Sequence, residues 1–115
     1  MKLTVTSGFV KAAEKSDIPI GTMKKATFNG KEILIANVGG NYHAIGNTCT
    51  HAGGDLSKGS LEGNIVTCPR HGSRFDVTTG KSISGPKILF ITLKVKDESL
   101  FPVKVEVNDV LINLG

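Results

Sequence analysis

The chain has two cysteines and three histidines, and each cysteine stands beside a histidine. The first segment, Cys49–His51, has the spacing C-x-H, and the second, Cys68–His71, has the spacing C-x-x-H. Thiolate sulfur is a soft ligand that suits zinc, copper(I) and iron–sulfur clusters, and neutral imidazole suits zinc and iron. The two segments together therefore predict a metal site with two sulfur and two nitrogen ligands.

Three interpretations of this pattern are open. A C₂H₂ zinc finger pairs cysteine with cysteine on one arm and histidine with histidine on the other, whereas each segment here mixes the two types. A diiron cluster accounts for the mixing, because two cysteines bind one iron and two histidines bind the other. A zinc site, or two buried or disulfide-bonded cysteines, are the alternatives. The third histidine, His43, is interpreted as a strand residue rather than a ligand.

The elements that position these segments are predicted to be short strands. The pair Asn29–Gly30 is a strong hairpin signal, because both turn positions need a positive φ, and it separates strands over Thr22–Phe28 and Lys31–Asn37. One helical turn is expected over Ala12–Asp17, and residues Cys49–Ser60 are expected to form a loop. Further strands are predicted over Lys2–Thr6, Asn41–Ile45, Asn64–Thr67, Arg74–Val77, Ile88–Lys96, Pro102–Val107 and Val110–Leu114, with the last turn at Asn108–Asp109.

The residues around both segments resemble the Rieske iron–sulfur family. The resemblance is carried by Asn47–Leu56 (NTCTHAGGDL), by Cys68–Gly72 (CPRHG) and by Arg74–Gly80 (RFDVTTG). The strong match covers about Tyr42–Gly80, and Gly85–Pro86 resembles the third loop that covers the cluster in that family.

The resemblance implies an all-β, Rieske-like fold of antiparallel sheets with a cluster-binding subdomain formed by two metal-ligand loops. It implies a single domain over residues 1–115, with the cluster-binding part at about 42–86, and one [2Fe–2S] cluster per chain. Cys49 and Cys68 are expected to hold the inner ferric iron, and His51 and His71 the outer iron, which is the one reduced.

Residues around the cluster are expected to tune its potential. High-potential members of the family have a serine and a tyrosine that donate to cluster sulfur, and a disulfide between the loops. Here Ser73 is retained, Phe75 replaces the tyrosine, and no cysteine is left for that disulfide. Gly72 is expected to let the backbone approach the cluster and Pro86 to shield it. A low to intermediate potential follows, within a family range of about −150 to +300 mV.

The function implied by the resemblance is that of a ferredoxin, an electron-transfer protein and not itself an enzyme. It would pass one electron from a reductase to a terminal acceptor such as an oxygenase by transient docking at the His51/His71 edge. The alternatives are an electron-transfer subunit fixed in a larger oxidoreductase complex and a zinc-binding structural domain. The catalytic subunit of an oxygenase is disfavoured, because only His43 remains for its mononuclear 2-His-1-carboxylate iron site.

Composition adds expectations about location and partners. No stretch approaches the roughly 18 apolar residues of a membrane span, and Met1–Gly8 is too short and polar for a signal peptide. We therefore expect a cytoplasmic protein without a membrane partner. The net charge of +4 is spread along the 115 residues, and without a basic arm no nucleic-acid partner is expected.

Overall fold

The computed structural model describes residues 8–50, 53–70, 72–84, 87–88, 91–92 and 96–114. Two predicted ligands, His51 and His71, lie outside the described residues, as do Gly85–Pro86 and the strand expected over Lys2–Thr6. In the described ranges there are thirteen strands and two short 3-10 turns at Lys15–Asp17 and Leu56–Lys58. The strands are β1 (Phe9–Glu14), β2 (Met23–Phe28), β3 (Lys31–Val38), β4 (Asn41–Gly46), β5 (Ser60–Glu62), β6 (Ile65–Thr67), β7 (Arg74–Asp76), β8 (Ser82–Ser84), β9 (Lys87–Ile88), β10 (Ile91–Thr92), β11 (Leu100–Phe101), β12 (Val103–Glu106) and β13 (Asp109–Asn113).

A base of two sheets carries the rest of the molecule. One sheet has the order β11-β4-β3-β2 and the other the order β1-β13-β12. Strand β3 is buried on both faces, and its side chains alternate between two cores. Ile33 and Ile35 pack with Val110 and Ile112 of β13 in the first core. The other face of β3 is therefore left to support a second core.

The second core lies between the base and a four-stranded sheet of order β5-β6-β7-β8. Both cysteines belong to this core, which places the predicted metal site between the base and the small sheet. Its buried members are Leu34, Ala36, Ile45, Cys49, Leu56, Val66, Cys68, Phe75 and Val77.

The prediction of an all-β fold with antiparallel sheets is confirmed. The regular elements in the described ranges are strands and two 3-10 turns, and the strand pairs are antiparallel. The hairpin at Asn29–Gly30 is also confirmed, with φ of 49° and 81° at the two turn residues. No helix in the described ranges is long and apolar enough to span a membrane.

The continuous strand predicted over Ile88–Lys96 is wrong. Ile88 pairs with Ile91 and Lys87 pairs with Thr92 in an antiparallel hairpin, so the chain reverses within the predicted strand. An alternating run shows which residues share a face, but it does not show where a strand ends. The sequence at this reversal has no glycine, proline or asparagine to mark it.

The helical turn predicted over Ala12–Asp17 is right only at Lys15–Asp17. Ala13 and Glu14 belong to β1, where they pair with β13. Alanine, glutamate and lysine are good helix formers, but helix propensity is a weak determinant of structure, and pairing with a neighbouring strand overrides it here. The last hairpin is confirmed, but Glu106 pairs with Asp109, which moves its turn one residue toward the N-terminus.

Candidate metal centre

The two cysteines lie at equivalent places in the structure. Cys49 follows the end of β4 and Cys68 follows β6, and each is only 2% exposed. They are not joined by a disulfide. Two thiols inside one core are therefore available as ligands.

The first loop is closed by its own backbone. The N–H of Cys49 donates to the carbonyl of Gly54 over 2.8 Å, and the N–H of Gly53 donates to the carbonyl of Cys49 over 3.0 Å. Gly53 has a φ of +72°, a conformation that glycine adopts without strain.

The second loop repeats this pattern. The N–H of Cys68 donates to the carbonyl of Ser73 over 2.7 Å, and the N–H of Gly72 donates to the carbonyl of Cys68 over 3.1 Å. Gly72 has a φ of +79°. It follows Cys68 by four residues, as Gly53 follows Cys49. Two loops of the same closure thus each present a buried sulfur, and the glycine predicted beside the cluster is a turn residue.

The loops also touch one another. A Cβ atom on Gly54 would lie 2.7 Å from the Sγ of Cys68 and 3.3 Å from the Cβ of Arg70. The φ of Gly54 is not positive, so the close approach of the second loop, and not the backbone conformation, requires glycine here. The structure therefore brings the two predicted cysteines into one site.

Ser73 supplies an independent test of whether the site suits a cluster. Its side chain is fully buried, and its Oγ has no hydrogen-bond partner among the described residues. Leaving a buried polar group without a partner costs about 1–3 kcal/mol. An acceptor of the kind a cluster sulfur offers would remove that cost, so the residue fits the predicted group. Phe75 is also fully buried in the core, and its ring has no donor to offer.

A hydrogen-bonded group of polar side chains fixes the C-terminal part of the first loop. Asp55 accepts hydrogen bonds from the amide of Asn47 at 2.8 Å, from Ser57 and from the ammonium of Lys25 at 3.1 Å. Burial alone would raise the pKa of Asp55, but these bonds and the lysine charge outweigh it and hold the pKa well below its ordinary value. The base of the loop is therefore tied to β2 through a carboxylate that stays ionised.

Glu98 was not predicted to have any role at this site. It is 7% exposed, and its Oε2 accepts the backbone N–H of Thr50 over 3.1 Å. Burial raises the pKa of Glu98 to about 7, although the bond from Thr50 acts in the opposite direction. The sequence Asp97–Ser99 alone is typical of a turn, and no spacing links it to the ligand loop 48 residues away.

The third histidine lies where the sequence placed it. His43 is a partly buried residue of β4 and pairs with Ala36 of β3. Its interpretation as a strand residue is confirmed.

Comparisons with known proteins show the family to which the chain belongs. The family model described as Rieske [2Fe-2S] domain matches residues 8–91. The chain is 38% identical over 110 residues to the ferredoxin component of the naphthalene 1,2-dioxygenase/salicylate 5-hydroxylase systems of a Ralstonia species, covering 96% of this chain and 99% of the relative.

Solved structures are similar over nearly the whole chain. A chain in the complex of reduced oxygenase and oxidized ferredoxin in carbazole 1,9a-dioxygenase matches with a TM-score of 0.82 at 29% identity, covering 94% of both chains. The ferredoxin of carbazole 1,9a-dioxygenase from Nocardioides aromaticivorans IC177 matches with a TM-score of 0.76 at 28% identity, covering 92% of this chain and 97% of that one. These matches confirm the fold expected from the sequence.

Proposed function

The chain belongs to the Rieske [2Fe–2S] domain family and binds a [2Fe–2S] cluster, and on that premise we propose which residues hold the cluster. Cys49 and Cys68 bind one iron through thiolates, and His51 and His71 bind the other through imidazole nitrogens. When bound, the cluster takes up and releases one electron. The ligand assignment is supported by the two equivalent loops, each presenting a buried sulfur.

The chain's own residues prepare the site in three ways. The core around both cysteines excludes water from the sulfur side. The absence of a side chain at Gly54 lets the loops approach until its backbone contacts Cys68. The hydroxyl of Ser73 is left to donate to a cluster sulfur, because no described protein group accepts it.

The ligand assignment is tested one residue at a time. Replacing His51 or His71 by alanine is expected to abolish the stable cluster, measured as iron per chain and as the visible spectrum. The matched control is His43→Ala, which removes the remaining histidine and is expected to retain a full cluster. Retention of the cluster in both ligand variants would contradict the assignment.

The protein is a one-electron carrier, as its ferredoxin relatives are. We propose that its donor is a reductase and its acceptor a terminal oxygenase of the kind that attacks aromatic rings, since the relatives are components of naphthalene dioxygenase systems. Docking is proposed at the His51/His71 edge, and contacts between redox proteins are usually small and transient.

The carrier role is tested by reconstitution. The purified protein is added to a reductase and a naphthalene-type oxygenase, and product formation is followed as its concentration rises. Product should depend on the added protein, and an equal amount of Cys68→Ser should not replace it. Co-purification with a larger subunit, together with no activity as an added carrier, would instead favour the fixed-subunit alternative.

We also propose that residues 1–115 form one domain and that the protein acts in the cytoplasm. The first part is supported by β3, which contributes to both cores, and the second by the low cysteine count, since extracellular domains stapled by disulfides usually carry more cysteines. Limited proteolysis should release no stable fragment, and fractionation should recover the protein with cytoplasmic markers.

A further inference from the structure

Glu98 is the one buried charged side chain among the described residues. It lies in the segment Lys96–Ser99, which has no regular secondary structure. Burying a carboxylate is costly unless hydrogen bonds compensate for the lost water. The hydrogen-bond partners of the Glu98 carboxyl should therefore explain why it is buried.

Both polar atoms of Thr50 that can donate bind this segment. The backbone N–H of Thr50 donates to Oε2 of Glu98 over 3.1 Å, and its Oγ1 donates to the carbonyl of Lys96 over 2.5 Å. Thr50 stands between Cys49 and His51, the two proposed ligands of the first loop. The N–H that donates to Glu98 belongs to the peptide between Cys49 and Thr50, so a shift of this peptide would move Cys49.

The segment is itself held by neighbouring strands. The N–H of Glu98 donates to the carbonyl of Gly80 over 2.7 Å, and the N–H of Gly46 donates to the carbonyl of Ser99 over 2.9 Å. The carboxylate of Asp97 accepts the N–H of Ser82 over 2.8 Å. The segment thus joins the end of β4, the turn after β7 and the start of β8 to the first ligand loop.

The space around Glu98 is matched to its side chain. A Cβ on Gly46 would lie 2.6 Å from Oε1 of Glu98, and Gly46 does not have a positive φ. The backbone conformation at Gly46 would accept other residues, but a side chain there would meet the Glu98 carboxyl unless that carboxyl moved. Gly46 therefore leaves the space that the Glu98 carboxyl occupies.

We propose that Glu98 is a positioning residue, whose buried carboxyl holds the peptide between Cys49 and Thr50 and thereby sets the placement of Cys49. This inference rests on the proposed ligand assignment. Glu98 acts through Thr50 and is not itself a ligand of the cluster. The residues that support metal ligands commonly change metal affinity by about 10–100-fold when they are mutated.

The test compares Glu98→Ala and Glu98→Gln in the holoprotein. The alanine variant loses the acceptor for Thr50, so it is expected to release iron to a chelator about tenfold faster and to show altered g-values in the EPR spectrum of the reduced state. The glutamine variant keeps an acceptor oxygen and is expected to retain iron at nearly the wild-type rate. Mass-spectrometric hydrogen exchange should show faster exchange of the Thr50 peptide in the alanine variant alone.

Asp97→Ala is the matched control. It removes a carboxylate of the same segment, and that carboxylate binds Ser82 and not the ligand loop. It is expected to change iron release and the EPR spectrum less than Glu98→Ala does, because the bond from Thr50 to Glu98 remains. Equal defects in the Asp97 and Glu98 alanine variants, or a wild-type spectrum and iron release in Glu98→Ala, would overturn the proposal. If the wild-type protein itself held no cluster, the ligand assignment would fail, while hydrogen exchange at Thr50 would still test the Glu98 contact.

Discussion

Replacing Ser73 by alanine is expected to lower the reduction potential. The buried hydroxyl of Ser73 has no hydrogen-bond partner among the described residues. We assign a cluster sulfur as its acceptor. A hydrogen bond contributes about 0.5–1.5 kcal/mol with a neutral partner and about 1.5–3 kcal/mol with a charged one. Reduction adds a negative charge, so the bond stabilises the reduced state more, by about 1 kcal/mol. Since 59 mV corresponds to a tenfold change for one electron, the alanine variant should lie about 40 mV below the wild type.

The potential of Ser73→Ala is measured by an EPR-monitored redox titration beside the wild type. Ser60→Ala, an exposed serine of β5, is the control and should keep the wild-type potential. Because Phe75 offers no second donor, the wild-type value is predicted to be low to intermediate in the family range of about −150 to +300 mV. If Ser73→Ala had the wild-type potential and a more stable fold, the proposed hydrogen bond from the Ser73 hydroxyl to a cluster sulfur would be excluded.

Four further variants concern the first ligand loop and two turns. Gly54→Ala places a methyl group 2.7 Å from the sulfur of Cys68, so purified protein should contain less iron per chain than the wild type; a full, spectrally unchanged cluster would contradict the loop contact. Val107 is 89% exposed with a φ of 56°, which is strained for a β-branched residue, so Val107→Gly should raise the free energy of unfolding by about 1 kcal/mol in urea titrations. Gly63→Ala makes the reverse change at a φ of +60° with open space around it and should lower the free energy of unfolding. If both variants had the urea midpoint of the wild type, backbone strain at these positions would be ruled out. The pKa of Asp55 is lowered from 3.8, so its carboxylate stabilises the fold above about pH 4 and that contribution is lost as the pH falls through the folded-state pKa. Asp55→Asn should therefore be less stable than the wild type at pH 7, with a smaller difference at pH 3, and a difference independent of pH would count against the assignment.

The parts of the structure that depend on neighbouring residues could be predicted from the sequence. The hairpin at Asn29–Gly30 depends on two adjacent residues with a known φ preference. The cysteine positions were recognisable because metal ligands occur at short, characteristic spacings. The structure buries both cysteines in one core, while the assignment of Cys49, His51, Cys68 and His71 as ligands stays a prediction.

The parts that depend on distant contacts could not be predicted. The strand at Ala12–Glu14 forms because β13 pairs with it, and no local pattern indicates that neighbour. The role of Glu98 depends on Thr50, 48 residues earlier, and a polar triplet in isolation is typical of an exposed turn. The reversal after Ile88 occurs in an apolar run without turn residues, so alternation alone suggested one long strand.

The most direct test of the central claim is an EPR spectrum of the dithionite-reduced protein, with iron and acid-labile sulfide counted on the same sample. We expect a rhombic signal from a reduced diiron cluster, with two irons and two sulfides per chain. An EPR-silent, colourless protein that contains zinc in place of iron would contradict it.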